Sequence, residues 1–367
     1  MLIFLKNCKP LDYAEEEEKM ASLINLLASH GQRKNIVVAP KRVLLDIMGS
    51  SIYSNNDKRY AADILETSRE HFLLKEVMKI FVTVDFGEPE QATKKEDNEI
   101  LISYSKFKDP ISSGAIPFIS ENDKDYRFYK VIGNTYIRAK IGLNIDINLI
   151  HNLGAGSHCK AEFDRLSKVS PLLFCIVDND KKHPKTKEGS TSSRFKFDDR
   201  DNYESGKLIK VLDMREVENL IPTKTIDDVC AKHYPPKIID TFDEIKFLFK
   251  KEPNFIRYFD FKEGLSLKTA IELDKRYGSF WLPILKNLER FSKNRCFEEI
   301  ECYGCLQCPK IDGFGENLLA HSLGVLEQDN LRNISKTLDS LLKNLWDDIG
   351  HHIVSWGCTT SSRLTRT

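Results

Sequence analysis

Residues 171–180 read Pro-Leu-Leu-Phe-Cys-Ile-Val-Asp-Asn-Asp. Six apolar residues follow the proline and run without a break into Asp178-Asn179-Asp180. An unbroken apolar run of that length, rich in Phe, Ile and Val, is the pattern of a strand buried on both faces of a parallel sheet. In open α/β sheets the functional crevice lies beyond the carboxyl ends of such strands, where Asp178 and Asp180 fall. On an extended chain, carboxylates one residue apart project to the same side. Anions held that close repel each other and need a cation, and hard oxygen ligands suit Mg²⁺.

The flanks extend the pattern. Ile116–Ser120 (IPFIS) reads as a strand ending at Glu121, and residues 123–142 as a helix. Residues 145–157 (IDINLIHNLGAGS) read as a strand entering a glycine turn, and 158–169 as a second helix. The resulting β-α-β-α-β order is the signature of parallel strands joined by right-handed crossovers. Residues 181–206 form a polar, basic-rich loop, 207–212 a further strand, and DMREVENLIP (213–222) follows.

Before this unit, residues 14–30, 42–48, 63–79 and 94–107 read as helices, and 35–40 and 80–85 as strands. After it, residues 238–251, 267–277, 279–293, 318–328 and 331–349 read as helices. The expected class is α/β: a central Rossmann-like parallel sheet over 116–235, an N-terminal α/β lobe over 1–115, and a mostly helical lobe over 236–367.

The 367 residues carry 55 Lys+Arg against 55 Asp+Glu, so any nucleic-acid affinity must reside in a local patch. No apolar run approaches the ~20 residues of a membrane span, and the first residues do not form a signal peptide. Nine cysteines in such a chain point to a reducing, cytoplasmic setting.

Glu121 after the first strand, Gly154 and Gly156 in the turn after the second, and Asp178-x-Asp180 after the third together resemble the Toprim domain. SENDKDYRFY (120–129) is similar to the opening of the Toprim nucleases of OLD-family and PARIS-type anti-phage systems. REVENLIP (215–222) is similar to the Glu-x-Glu-Asn segment that follows Asp-x-Asp there. Asn122 stands where the family has Gly. The resemblance covers about a third of the chain and implies a Mg²⁺- or Mn²⁺-dependent nuclease acting on DNA or RNA, with tRNA among the substrates, serving as the toxic effector of a defence system.

The residues are coherent with that chemistry. Asp178, Asp180 and Glu216 or Glu218 would hold the metal, with Glu216 preferred because the two cannot face one point on a helix. Glu121 would ligate metal or act as general base. Asp125, Gly154, Gly156, Ser157, Lys160, Lys181, Lys182 and His183 are the expected substrate contacts, through backbone N–H groups in the turn and cations on the loop. The sequence contains no P-loop, so a separate ATPase or sensor chain is the expected partner, and self-association is also compatible. The competing class is a non-catalytic module that binds nucleic acid or a partner and scaffolds a complex.

Two further features stand apart. NIVVAPKRVLLDI (35–47) is similar to the opening strand of PIN nucleases, with Asp97, Asp123 and Asp125 as later acids, but Pro40 occupies the place of the first Asp. The N-terminal lobe therefore reads better as a docking or regulatory domain. Cys302-x-x-Cys305-x-x-Cys308 has the spacing of a structural Zn²⁺ knuckle, with Cys358, Cys296, His351 or His352 as fourth ligand and Cys358 preferred. An iron–sulfur cluster is the alternative.

Overall fold

The computed structural model describes residues 1–87, 94–96, 98–200, 206–304 and 307–361. The chain forms two compact units. The first comprises residues 1–176, 195–210 and 347–367, and the second residues 177–194 and 211–346. The class is α/β with parallel sheets, as the apolar runs required. Among the described residues no helix is long and apolar enough to cross a membrane.

The first unit holds two main sheets. Strands β1 (Leu2–Lys6), β2 (Ile36–Val38), β3 (Phe81–Asp85), β4 (Lys94–Glu96) and β5 (Glu99–Ser103) are ordered β2-β1-β3-β5-β4. Strands β1, β2, β3 and β5 pair in parallel, and β4 is antiparallel. Helices α1 (Glu17–Gly31), α2 (Lys41–Gly49) and α3 (Asn55–Leu73) connect the first three strands. The helix expected over 94–107 is instead β4, β5 and a 3₁₀ turn at Tyr104–Phe107. Ile100 and Ile102 are both buried, so the segment obeys the two-residue period of a strand rather than a helical stripe.

The second sheet carries the β-α-β-α-β unit. Strands β6 (Ile116–Ser120), β7 (Ile145–Ile147), β8 (Leu149–Leu153), β9 (Leu173–Val177) and β10 (Lys207–Val211) follow in chain order. Four of them form the sheet β10-β9-β6-β8, with β6 parallel to β8 and to β9. Helix α4 (Asp123–Tyr136) links β6 to β7, and α5 (Cys159–Leu166) links β8 to β9. All five residues of β9 are buried, which explains why its sequence does not alternate. The strand expected over 145–157 is broken at Asn148, and β7 pairs antiparallel with Cys358–Thr360 instead of joining the sheet.

That pairing ties Cys358–Thr360 to the first unit. Trp356 stacks on Phe174 at 5.7 Å, and the Met1 amino group donates to Cys358 O at 2.6 Å. Asp348 binds both Lys79 and Lys210 at 2.6 Å. The compact units are discontinuous in the chain, and their limits are not the boundaries read near 115 from turn chemistry and at 235 from the change of texture after Pro235-Pro236.

The second unit is mostly helical, with α6 (Thr223–His233), α7 (Pro236–Lys251) and α8 (Leu267–Tyr277) as its longer members, beside a two-stranded antiparallel sheet of Gly264–Ser266 with Lys310–Asp312. The helix expected over 279–293 is split into Trp281–Leu285 and Glu289–Ser292. Asp274 anchors its start by accepting from the backbone N–H groups of Phe280, Trp281 and Leu282. The helix expected over 331–349 is likewise two, Leu331–Thr337 and Ser340–Gly357.

Candidate active site

Strand β9 ends at Val177 and delivers Asp178, Asn179 and Asp180 into the second unit. Asn179 is the pivot. Its Nδ2 donates to Leu212 O at 2.9 Å, its Oδ1 accepts from Lys181 N at 2.8 Å, and its carbonyl accepts from Gly189 N at 2.9 Å. Asp180 then takes a left-handed conformation, φ 55°, and its N–H donates to Arg215 O at 3.0 Å. The two aspartates therefore do not lie on an extended chain as expected. Asn179 turns the backbone, and a short Asp side chain tolerates the left-handed position better than most. Gly189 packs directly on Asp180: a Cβ there would meet Asp180 Oδ2 at 2.0 Å.

Glu216 is extended and caps a single 3₁₀ turn, Val217–Leu220. Asn219 holds the turn by accepting from Glu216 N at 2.9 Å and donating to Ile256 O and Phe259 O at 2.6 and 2.8 Å. Because the segment is not an α-helix, both glutamates reach one group. Lys262 Nζ lies 3.4 Å from Glu216 Oε2 and 3.3 Å from Glu218 Oε1. Asp178 adds to the field on the same ammonium. Beside them Arg215 donates to Asp260 and lies 3.6 Å from Glu216 Oε1. The structure thus brings Asp178, Asp180, Glu216 and Glu218 into one electrostatic cluster, and adds Arg215, Asp260 and Lys262.

Burial pushes the Asp180 and Glu216 carboxyls above the usual range, against the opposing pull of Lys262 and Arg215. Lys262 is held well above its ordinary value: the adjacent Glu218 and Glu216 outweigh its own burial. The oxygen donors have the chemistry of a hard divalent-cation site. Among the described residues neither Glu216 Oε2 nor Glu218 Oε2 accepts a hydrogen bond, although both atoms are buried. Among the described residues, however, no three Asp, Glu, His or Cys side chains are gathered as a ready metal cage, and Lys262 is the cation seated on the glutamates.

A cavity of about 330 Å³ opens beside Asp180, lined by Lys182, Lys187, Thr269, Arg276 and Tyr277 among others. The Arg276 guanidinium lies over the Tyr277 ring at 5.2 Å. Lys182 is exposed, and Lys181 half-buried. His183 does not join them as a substrate contact. It is 1% exposed, with Nε2 bonded to Gly278 O at 2.9 Å and Nδ1 accepting from Lys185 N at 3.1 Å. Its ring packs against Tyr277 and Phe280, so it anchors the loop from inside.

The remaining predicted residues lie in the first unit. Glu121 follows β6, and the turn after β8 folds beside it: Ala155 N donates to Glu121 O at 3.1 Å, and a Cβ on Gly156 would stand 4.0 Å from Glu121 Oε2. Ala155 and Gly156 are both left-handed, at φ 43° and 58°. Gly154 is required by space, since a Cβ would meet Cys159 Sγ at 2.2 Å. Of Ser157 only the backbone is described. Lys160 pairs with Asp164 at 2.5 Å.

Asn122 explains the departure from Gly at that position. It is the N-cap of α4, in a capping box with Asp125. Asp125 is buried and its carboxylate closes the box, so it is a structural residue rather than the substrate contact expected. Ser120 Oγ donates to Asn122 O at 3.0 Å and is 2.9 Å from His151 Nε2. His151 in turn faces Asp123 at 3.8 Å and stacks on Tyr126. Ser120 is fully buried, so this Ser-His-Asp arrangement braces the start of α4 rather than presenting a nucleophile. Of the PIN-like acids, Asp97 lies outside the described residues.

Cys305 also lies outside the described residues. Cys302 and Cys308 belong to the second unit, where Cys308 Sγ accepts from Lys268 N at 3.4 Å. Cys358 belongs to the first, fully buried, and burial pushes its thiol up. Buried Cys296 lies in the second unit. His351 Nε2 is bonded to Val77 O and His352 Nδ1 to Asp348 O.

Lys262, Asp260 and Gly189 were not legible as site residues, because no local pattern marks them. The fold and the acidic cluster together define an α/β protein with a partly buried carboxylate–lysine centre beside a cavity of mixed charge, lined by Lys182, Lys187 and Arg276 with Asp180 and Glu272. Compared with known proteins, the chain matches no family model, no curated protein and no solved structure.

Proposed function

We propose that this chain is a metal-dependent nuclease of Toprim type, with Asp178, Asp180, Glu216 and Glu218 as the residues that hold Mg²⁺ or Mn²⁺. The observation that carries the reading is the partly buried excess of carboxylates that Lys262 and Arg215 only partly balance, next to a cavity lined by Lys182, Lys187 and Arg276 together with Asp180 and Glu272. When bound, the metal would supply Lewis-acid polarisation of a phosphodiester and a more acidic water. The cations of the cavity would bind the phosphate backbone, and Asn219 and Asn179 would hold the acidic segments rigid. Glu121 keeps the role of general base or further ligand that the sequence resemblance implies. The same resemblance supports a defence effector acting on DNA or RNA, controlled by a partner chain, and the cysteine spacing supports a structural zinc.

The test is incubation of the purified chain with plasmid, single-stranded DNA and tRNA, with Mg²⁺, with Mn²⁺ and with chelator. Metal-dependent cleavage that is lost in Asp178→Ala and Glu121→Ala supports the reading. Equal cleavage by those variants refutes the assignment.

One observation favours a second reading. Lys262 already occupies the cation position on Glu216 and Glu218. In a non-catalytic scaffold that binds nucleic acid or a partner, this lysine would be a permanent internal counter-ion. Binding of nucleic acid without cleavage under any metal condition distinguishes the scaffold.

A further inference from the structure

The N-terminal sheet carries its own crevice. The chain leaves β1, crosses to β2 on one side, and then returns past β1 to β3 on the other. Strand order therefore reverses at β1, and in open parallel sheets ligands bind beyond the carboxyl ends at such a point. A cavity of about 830 Å³ lies there. Its walls come from the segments that follow β1, β2 and β3, including Asn7, Lys9, Arg42 and Phe86. The volume falls in the range of roughly 300–1,000 Å³ typical of small-ligand sites.

The mouth is built by a fixed set of contacts. Asn7 takes a left-handed conformation, φ 54°, and its Nδ2 donates to Asp85 Oδ1 at 2.9 Å. Gly87 N donates to the same oxygen at 2.8 Å, so buried Asp85 ties the ends of β1 and β3 together. Phe86 lies in an aromatic stack between Tyr13 and Tyr104, which makes the floor rigid. Cys8 also lines the cavity, but burial pushes its thiol up to about 12, which argues for binding rather than thiol chemistry.

The charges select the ligand. Lys9 and Arg42 are exposed at the cavity and have no carboxylate partner among the described residues. Asp12 and Asp46 stand on the same rim, also without a cationic partner among the described residues. Two free cations suit a phosphate group, and two free carboxylates suit sugar hydroxyls or an exocyclic amine. We propose that the N-terminal lobe binds a nucleotide in the crevice beyond β1, β2 and β3, its phosphate on Arg42 and Lys9 and its hydroxyls or base amine on Asp12 and Asp46. The site is independent of the acidic cluster and gives the lobe a ligand to sense.

The experiment is isothermal titration of the full chain with ATP, GTP, AMP and NAD, and separately with inorganic phosphate, all in chelator so that no metal contributes. Wild type, Arg42→Glu and Lys9→Glu are compared; both positions are exposed, so circular dichroism should show unchanged folds. Saturable binding of at least one nucleotide, weakened tenfold or more in both variants, is expected. Phosphate binding as tight as any nucleotide overturns the nucleotide assignment. Absence of binding, or binding that neither variant changes, overturns the site itself.

Discussion

The Lys262 ammonium stands 3.3 Å from Oε1 of Glu218, a residue that is 4% exposed. A buried carboxylate that loses its counter-ion retains its desolvation cost without compensation. Lys262→Met should therefore destabilise the second unit, by about 2–3 kcal/mol given the partial exposure of the lysine. Urea unfolding followed by tryptophan fluorescence reads this, since Trp281 and Trp346 both belong to that unit. If the glutamates are metal ligands, millimolar Mg²⁺ should restore more stability to the variant than to wild type. An unchanged unfolding midpoint, or a Mg²⁺ effect equal in both proteins, counts against the ion-pair account.

Glu216 supplies a pH signature. Burial raises its carboxyl above the ordinary value, reinforced by Glu218 and Asp260 and opposed by Lys262. A carboxyl with a higher pKa in the folded state binds its proton more tightly there than in the unfolded chain. Its contribution to stability is complete below about pH 4 and is lost as pH rises through the folded value. Glu216→Gln cannot ionise, so it should match wild type at low pH and become relatively more stable toward neutrality. Unfolding curves of the two proteins in chelator, across about pH 4–7, measure the difference. A constant difference would show that Glu216 does not titrate in this window.

Gly189 and Asp180 make a steric prediction. An alanine Cβ at 189 would lie 2.0 Å from Asp180 Oδ2 and 2.4 Å from its Cβ, so the loop or the aspartate must move. Overpacking of this kind costs roughly 1–3 kcal/mol. Metal-dependent cleavage, if present, should fall with it, because Asp180 is displaced. Gly49 is the control, since a Cβ there meets nothing within 4 Å. Gly49→Ala should be neutral or slightly stabilising. Equal thermal stabilities for the two variants would contradict the packing described.

How far such features can be read from sequence depends on where their partners lie. The apolar run Leu172–Val177 marked β9 because burial on both faces leaves a continuous signal, and β9 is buried throughout. Glu121 was readable because it follows the mostly buried strand β6, whereas β8, before the Gly154–Gly156 turn, is half-exposed and only the glycines themselves marked the turn. The strand at Glu99–Ser103 was misread because Ile100, Leu101 and Tyr104 also fit a helical spacing over so short a segment. Lys262 was invisible. It meets Glu218 from 44 residues away, and only the tertiary fold joins them. Asp125 and His183 were chemically suitable for substrate contact, but a capping box and a buried aromatic cluster claim them, and neither is visible without coordinates.

Arg276 tests whether the cavity beside Asp180 holds nucleic acid. It is exposed, lies over Tyr277, and shares the cavity wall with Lys182 and Lys187. A cation that neutralises a phosphate releases a condensed counter-ion, so each such contact steepens the salt dependence of binding by ~0.9 on duplex DNA. Arg276→Glu should weaken binding about tenfold near ~0.1 M salt, with little dependence on sequence, and lower the slope by about one contact. Arg290→Glu is the matched control: Arg290 carries a similar charge but is paired with Glu244 away from this cavity. Binding isotherms at several salt concentrations, run in chelator to prevent cleavage, separate the two variants. If both lower the slope equally, the affinity reflects general surface charge, and the cavity beside Asp180 has no special part in it.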